Sequence, residues 1–108
     1  MLVSGMIELF DLRTLAQGAA EEVEGCYIGD LLSRVISRST AGGVWITIMN
    51  NLNVPAVALL AEVPCVILVE GVAPMEGVSE KCLEEGIWLL QSDESAYELA
   101  CRLSATGL

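Results

Sequence analysis

The sequence predicts an α/β domain with a mainly parallel sheet and helices packed on its faces. From residue 22 onward, strand-like and helix-like segments alternate with short connections, as in parallel βαβ units. Residues 65–69 form a continuous apolar run, which is typical of a strand buried on both faces. The chain has 108 residues, 54% of them hydrophobic, so it can bury one core and is too short for two domains. We therefore expect a single domain over residues 1–108.

The first elements are predicted to be short. Ser4 can cap an amphipathic helix. The apolar face of that helix would consist of Ile7, Leu9 or Phe10, and Leu12. Residues 13–17 predict a short strand closed by Gly18, and the weak acidic–apolar alternation of residues 21–27 favours a second strand.

The middle of the chain carries the clearest helix and strand signals. Asp30 is a good N-cap for a helix over residues 31–39. Residues 44–48 are β-branched or aromatic throughout, which predicts a strand. Asn53 can cap the following helix, with Pro55 in its first turn.

The last third of the chain continues the alternation. The predicted elements are a loop over residues 71–77, a helix over 79–85, a strand over 87–91 and a helix over 95–103. Ser95 and Glu98 have the spacing of a capping box at the start of the final helix.

Composition excludes several classes of function. The net charge of −10 disfavours nucleic acid and anionic membranes as partners. Histidine is absent, which excludes Ser-His-Asp and Cys-His catalysis and His-ligated metals. The one lysine, Lys81, is followed by cysteine and has no glycine-rich loop before it, so there is no Walker-type phosphate loop. We expect neither an enzyme nor a cofactor.

The four cysteines do not have the spacing of a metal or redox motif. They lie 39, 17 and 19 residues apart among apolar neighbours, without a C-x-x-C pair. Buried reduced thiols are the favoured interpretation, and a disulfide, a reactive thiol or a spatially assembled iron–sulfur site are the alternatives.

The sequence shows no targeting or membrane-spanning segment. The N-terminus lacks the basic stretch of a signal peptide. The longest apolar stretch, residues 54–69, is interrupted by Pro55, Glu62 and Pro64 and is too short to span a bilayer. We therefore expect a cytoplasmic protein.

Two polar corners, each between a predicted strand and the helix after it, form the candidate ligand site. Its residues are Gly29, Asp30, Thr47, Asn50, Asn51 and Asn53. In open α/β sheets, ligands bind at the carboxyl ends of strands near a topological switch point. Both corners also have a structural explanation: a capped helix behind a tight turn, and turn-forming asparagines with a helix cap.

A second set of residues is a candidate interface. Arg34 and Arg38 follow Asp30 at intervals of four. This spacing predicts either a solvated helix face with one ion pair, or a surface that binds an acidic partner or a phosphate. The highly apolar composition favours self-association, with Tyr27 as a candidate anchor. Trp45 lies within a predicted strand and is expected in the core.

Four segments together resemble the DRTGG-domain family over about residues 5–105. They are residues 25–33 (GCYIGDLLS), 45–48 (WITI), 53–58 (NVPAVA) and 95–100 (SAYELA). The Asp-Arg-Thr-Gly-Gly string that names the family is missing, and Asn51 occupies a position where stand-alone relatives often have histidine.

The resemblance implies a three-layer α/β/α domain like the N-terminal domain of HPr kinase/phosphatase, without its kinase site. It implies a non-catalytic regulatory or assembly role, frequently through dimerisation, with no established ligand. Together with the polar corners, we expect a homodimer that senses a small ligand such as a nucleotide or phosphometabolite. Because stand-alone relatives accompany iron hydrogenase genes, the alternative is an accessory protein of iron hydrogenase or iron–sulfur metabolism that acts through a protein partner.

Overall fold

A computed structural model describes residues 1–108 as one five-stranded mixed sheet with helices on both faces. The elements are α1 (Val3–Leu9), β1 (Arg13–Ala16), β2 (Cys26–Ile28), α2 (Leu32–Arg38), β3 (Val44–Thr47), α3 (Asn53–Leu60), β4 (Cys65–Leu68), α4 (Val78–Glu85), β5 (Trp88–Gln91) and α5 (Ala96–Ala105). No helix is long and apolar enough to cross a membrane.

The sheet has the strand order β1-β5-β4-β3-β2. Strands β2 to β5 are parallel neighbours, and β1 pairs antiparallel with β5. The predicted α/β class and mainly parallel sheet are therefore confirmed. The parallel strands follow one another in chain order, so no topological switch point lies among them.

Two separate cores lie on the two faces of the sheet because successive strand side chains point in opposite directions. Ile46 and Ile67 pack on one face with α1 and α5, whereas Trp45 and Val66 pack on the other with α2, α3 and α4. This is the three-layer α/β/α arrangement. Trp45 is fully buried, as expected for a core residue.

The start of the chain differs from the prediction in two places. Ser4 lies inside α1, which begins at Val3 after the uncapped Leu2. Residues 21–25 do not form a strand, since β2 begins at Cys26. The main-chain N–H groups of Val3 and Val23 bond to carbonyls of Glu21 and Met1, so this segment pairs with the N-terminus beside the sheet.

Two predicted helix caps are wrong. Helix α2 begins at Leu32 after Leu31, and α3 begins at Asn53 after Leu52, in both cases without a side-chain cap. The Asp30 carboxylate instead accepts hydrogen bonds from β3 and the loop after it. By contrast, the capping box of Ser95 and Glu98 at the start of α5 is present.

Candidate functional site

The carboxyl ends of the four parallel strands lie together at one end of the sheet, which we call the rim. The rim consists of the loops that follow β2, β3, β4 and β5. All six residues predicted to bind a ligand lie in or directly beside the first two loops, with Thr47 ending β3 and Asn53 starting α3. The structure separates these residues into two groups.

The first group is a corner that joins the ends of β2 and β3. Thr47 Oγ1 donates to Asp30 Oδ1 at 2.7 Å and accepts from the Met49 N–H at 3.0 Å. The Ile48 N–H also donates to Asp30 Oδ1, at 3.1 Å. Thr47 is buried, whereas Asp30 is exposed and its second carboxylate oxygen makes no hydrogen bond within the protein.

Gly29 belongs to the same corner and is held from two sides. Its carbonyl accepts from Trp45 Nε1 at 2.8 Å. A Cβ atom at Gly29 would lie 2.8 Å from Cε2 of Tyr27, closer than carbon atoms approach in proteins. The glycine thus lets the chain pass beneath the Tyr27 ring, and the ring itself packs on the core formed with α2, α3 and α4.

The second group consists of the asparagines after β3. Asn50 Nδ2 donates to the Ala73 carbonyl at 2.8 Å and so links this loop to the loop after β4. Asn51 Oδ1 accepts from the Asn53 N–H at 2.9 Å, which makes an Asx turn. The Asn53 side chain is exposed and makes no hydrogen bond within the protein.

A shallow cleft of about 400 Å³ lies next to these asparagines. It is lined by Asn51, Leu52, Asn53, Met75 and Glu76. The rim therefore presents free amide groups in this cleft and a free carboxylate oxygen at the other corner. Such groups can exchange hydrogen bonds with hydroxyls, amines and base edges.

A polar network at the other end of the rim escaped the sequence analysis. Gln91, at the end of β5, is largely buried; its Nε2 donates to the Val72 carbonyl at 2.9 Å and its Oε1 accepts from Arg13 Nε at 2.7 Å. The Arg13 guanidinium also bonds to both carboxylate oxygens of Asp93, at 2.6 and 3.1 Å. This hydrogen bond to Arg13 holds the pKa of Asp93 below its ordinary value. The sequence signal for this network was Gln91, a glutamine at the C-terminal end of an otherwise apolar strand.

The predicted interface residues lie beside the β2 edge of the sheet. Arg34 and Arg38 are exposed on α2 and form no ion pair, so the predicted pair with Asp30 is absent. Arg34 is in the first turn of α2, next to the rim, and Arg38 is in the last turn. Tyr27 is half-buried and packed inward.

The cysteines are dispersed. Cys65 and Cys82 are buried and Cys26 and Cys101 are exposed, all as free thiols. Burial raises the pKa of the Cys82 thiol to about 11. No three Cys, Asp or Glu side chains come close enough together to hold a metal ion.

Comparison with known proteins identifies the fold. No family model and no curated protein sequence matches the chain. A solved structure does match: the CBS and DRTGG domains of the regulatory region of Clostridium perfringens pyrophosphatase, complexed with its activator diadenosine tetraphosphate. The TM-score is 0.72 over 93% of this chain, at 8% sequence identity. The chain has a DRTGG-like fold. It spans 44% of the length of that regulatory region, so the likeness concerns the fold and not the activity.

Proposed function

We propose that residues 1–108 are a single DRTGG-like regulatory module that binds a nucleotide at the rim, works as a homodimer in the cytoplasm and has no catalytic role or cofactor. The observation that carries this proposal is the fold shared with a regulatory region whose solved structure contains a nucleotide activator. The unpaired polar groups of the rim supply the chemistry for such a ligand.

The polar groups of the rim that have no hydrogen-bond partner determine which parts of a nucleotide the site would bind. The Asn53 amide and Asn51 Nδ2 have no partner within the protein, and a side-chain amide can pair with an adenine edge. The free oxygen of Asp30 can accept from a ribose hydroxyl. Arg34, next to the rim and without an ion pair, is the cation placed to meet a phosphate.

A matched pair of asparagine variants tests the ligand site. Asn53→Ala removes a side chain without hydrogen bonds, so we expect the free energy of unfolding to change by less than about 0.5 kcal/mol. Asn51→Ala removes the Asx turn and lowers stability as well. The assay is thermal shift and calorimetric titration with diadenosine tetraphosphate, ATP and AMP, with inorganic phosphate as the control anion.

We expect the wild type to gain about 2.7 kcal/mol at a nucleotide concentration 100 times the dissociation constant. Asn53→Ala should then bind at least tenfold more weakly at unchanged stability. Absence of stabilisation by every nucleotide, or equal affinity of Asn53→Ala and the wild type, would contradict the proposed site.

The β2 edge is the proposed homodimer contact. Apolar side chains are exposed around this edge strand and α2: Ile28, Leu31, Ile36 and Ile48. An edge strand also presents unpaired main-chain groups that a second copy can use. In a two-fold contact this patch meets itself, so Arg34 and Arg38 of one copy would pair with acidic side chains of the same patch, such as the exposed Asp30, on the other.

Sedimentation velocity tests this contact. We expect a dimer for the wild type, a monomer for the double variant Arg34→Glu, Arg38→Glu, and a retained dimer for the matched lysine variant. A strict wild-type monomer at micromolar concentration would remove the homodimer. A nucleotide-insensitive monomer would favour the accessory role with a protein partner in hydrogenase or iron–sulfur metabolism.

A further inference from the structure

Helix α3 is apolar on the side that faces solvent. Seven of its eight residues are apolar, and Val54, Val57 and Ala58 belong to the core on this face of the sheet. Leu59 and Leu60 nevertheless remain 52% and 68% exposed. Surface helices normally carry polar residues on their outer face, and a helix that is apolar on all sides is normally covered on all sides. The outer face of α3 therefore lacks a covering element within this chain.

The exposed leucines belong to a groove between α3 and α4. This α3–α4 groove has a volume of about 700 Å³ and is lined by Pro55, Ala56, Leu59, Leu60, Glu62, Lys81 and Glu85. Its lining combines apolar side chains of α3 with the charged residues Glu62, Lys81 and Glu85. With α3 only eight residues long, the groove extends about 12 Å, which fits about two turns of a helix.

The charge along the groove is unbalanced. Lys81 Nζ lies 3.4 Å from Glu85 and 3.9 Å from Glu84, so the one ammonium group already has carboxylate partners. Glu62, at the end of α3, forms no ion pair. Among the lining residues, the two carboxylates of Glu62 and Glu85 against one ammonium leave a net charge of −1, and Glu84 adds a further carboxylate beside Lys81. A second copy would bring the same acidic groups face to face, in a protein that already carries −10.

We propose that the α3–α4 groove binds an amphipathic helix of a partner protein, apolar on one side and flanked by lysines or arginines. Helix-in-groove recognition uses apolar anchors spaced by one helical turn, which the exposed leucines and the other apolar lining residues would receive. The basic flanks would pair with Glu62 and Glu85. The residues that line this groove differ from those of the rim cleft and of the β2 edge, so the inference extends the proposed function without depending on it.

Three synthetic peptides of about 18 residues, long enough to be helical in water, test the proposal. The first places leucines at i, i+4 and i+7, which span about 10 Å, and lysines on both flanks. The second replaces each lysine by glutamate, and the third keeps the lysines but scrambles the leucines. Affinity is measured by fluorescence anisotropy, and the bound surface is mapped by amide hydrogen exchange. We expect the first peptide to bind at least tenfold more tightly than either control and to protect α3 and α4.

Matched variants then locate the contact. Leu60→Ser should weaken the first peptide at least fivefold, whereas Leu83→Ser, which alters a leucine of similar exposure (60%) on α4 outside the groove, should leave it unchanged. The double variant Glu62→Gln, Glu85→Gln should weaken binding, and more so at low salt. Circular dichroism checks that each variant is folded.

Four results would overturn the proposal. These are equal binding of the lysine and glutamate peptides, no binding of the lysine peptide at millimolar concentration, protection elsewhere on the molecule, and a wild-type dimer that Leu60→Ser converts to monomer. In the last case, a second copy covers the groove. The nucleotide titrations are measured separately, so failure of the peptide test leaves the proposed ligand function unaffected.

Discussion

Replacing Thr47 by valine tests the corner that joins β2 to β3. Thr47 is 2% exposed and its hydroxyl makes two hydrogen bonds, one to the Asp30 carboxylate and one from the Met49 N–H. Valine keeps the shape of threonine and fits a strand, so the substitution removes the hydroxyl without leaving a cavity. The measured change then reports on these hydrogen bonds.

The expected loss follows from the two partners. A hydrogen bond to a charged group contributes about 1.5–3 kcal/mol and one to a neutral group about 1 kcal/mol. Asp30 is exposed, so water can replace part of its lost bond, which places the sum near the lower end. We expect a destabilisation of about 2.5 kcal/mol, or a fall in melting temperature of about 10 °C for a domain of this size.

Urea denaturation of the wild type, Thr47→Val and Thr14→Val provides the assay. Thr14 is the matched control because it is exposed on β1 and its hydroxyl makes no hydrogen bond. Thr14→Val should change stability by less than about 0.5 kcal/mol. A double-mutant cycle with Asp30→Ala isolates the pairwise contribution. If Thr47→Val costs no more than Thr14→Val, the hydroxyl does not hold the corner together and the reasoning is refuted.

Three further predictions concern the rest of the molecule. Ser95→Ala removes the N-cap of α5 and should cost about 1 kcal/mol in urea denaturation; no loss would show that the capping box is not formed in solution. Arg13 lowers the pKa of Asp93, so the stability that this pair adds is present above the ordinary aspartate pKa and is lost as the pH falls through the lowered one. Asp93→Asn should therefore be less stable than the wild type at pH 7 and equally stable at strongly acidic pH, and a gap that persists in acid would contradict this. Iodoacetamide at pH 8 should alkylate the exposed Cys101 and spare Cys82, whose pKa is raised to about 11 by burial; mass spectrometry of the native and denatured protein checks both.

The parts of the fold that could be predicted depend on local pattern. The run over residues 65–69 and the β-branched run over residues 44–48 became β4 and β3 within one residue, because a fully buried strand needs an unbroken apolar sequence. The capping box at Ser95 needs residues three positions apart, and the sequence displays them directly.

The hydrogen-bond partners of the Asp30 carboxylate could not be predicted from local pattern. Aspartate before a helix is a good cap by local preference, yet its carboxylate bonds to Thr47 and Ile48, 17 and 18 residues away. A carboxylate that can satisfy a buried hydroxyl and a free main-chain N–H in the adjacent strand gains more than one that caps a solvent-exposed helix start. That competition is decided by the pairing of β2 with β3, which a local pattern does not contain.

The network of Arg13, Gln91 and Asp93 was missed for the same reason. Arg13 is 78 and 80 residues away from Gln91 and Asp93, and it meets them because β1 runs antiparallel beside β5 and brings its first residue to the rim. The sequence predicted the strand that contains Arg13 but not the neighbour or the direction of that strand.

The strand order and the existing hydrogen bonds leave only a few side chains of the rim available to bind a ligand. With β2 to β5 in chain order, the three crossover helices α2, α3 and α4 all lie on one face, and no crevice opens between crossovers that diverge to opposite faces. Thr47 and Asn50 are already engaged in holding the loops. A ligand at the rim would therefore depend on the groups without partners, above all the Asn53 side chain and Arg34. The Asn53 side chain makes no hydrogen bond within the protein, whereas Thr47 holds the corner between β2 and β3 together. Loss of binding in Asn53→Ala at full stability, together with loss of stability in Thr47→Val, would show that ligand recognition and structural support depend on different residues.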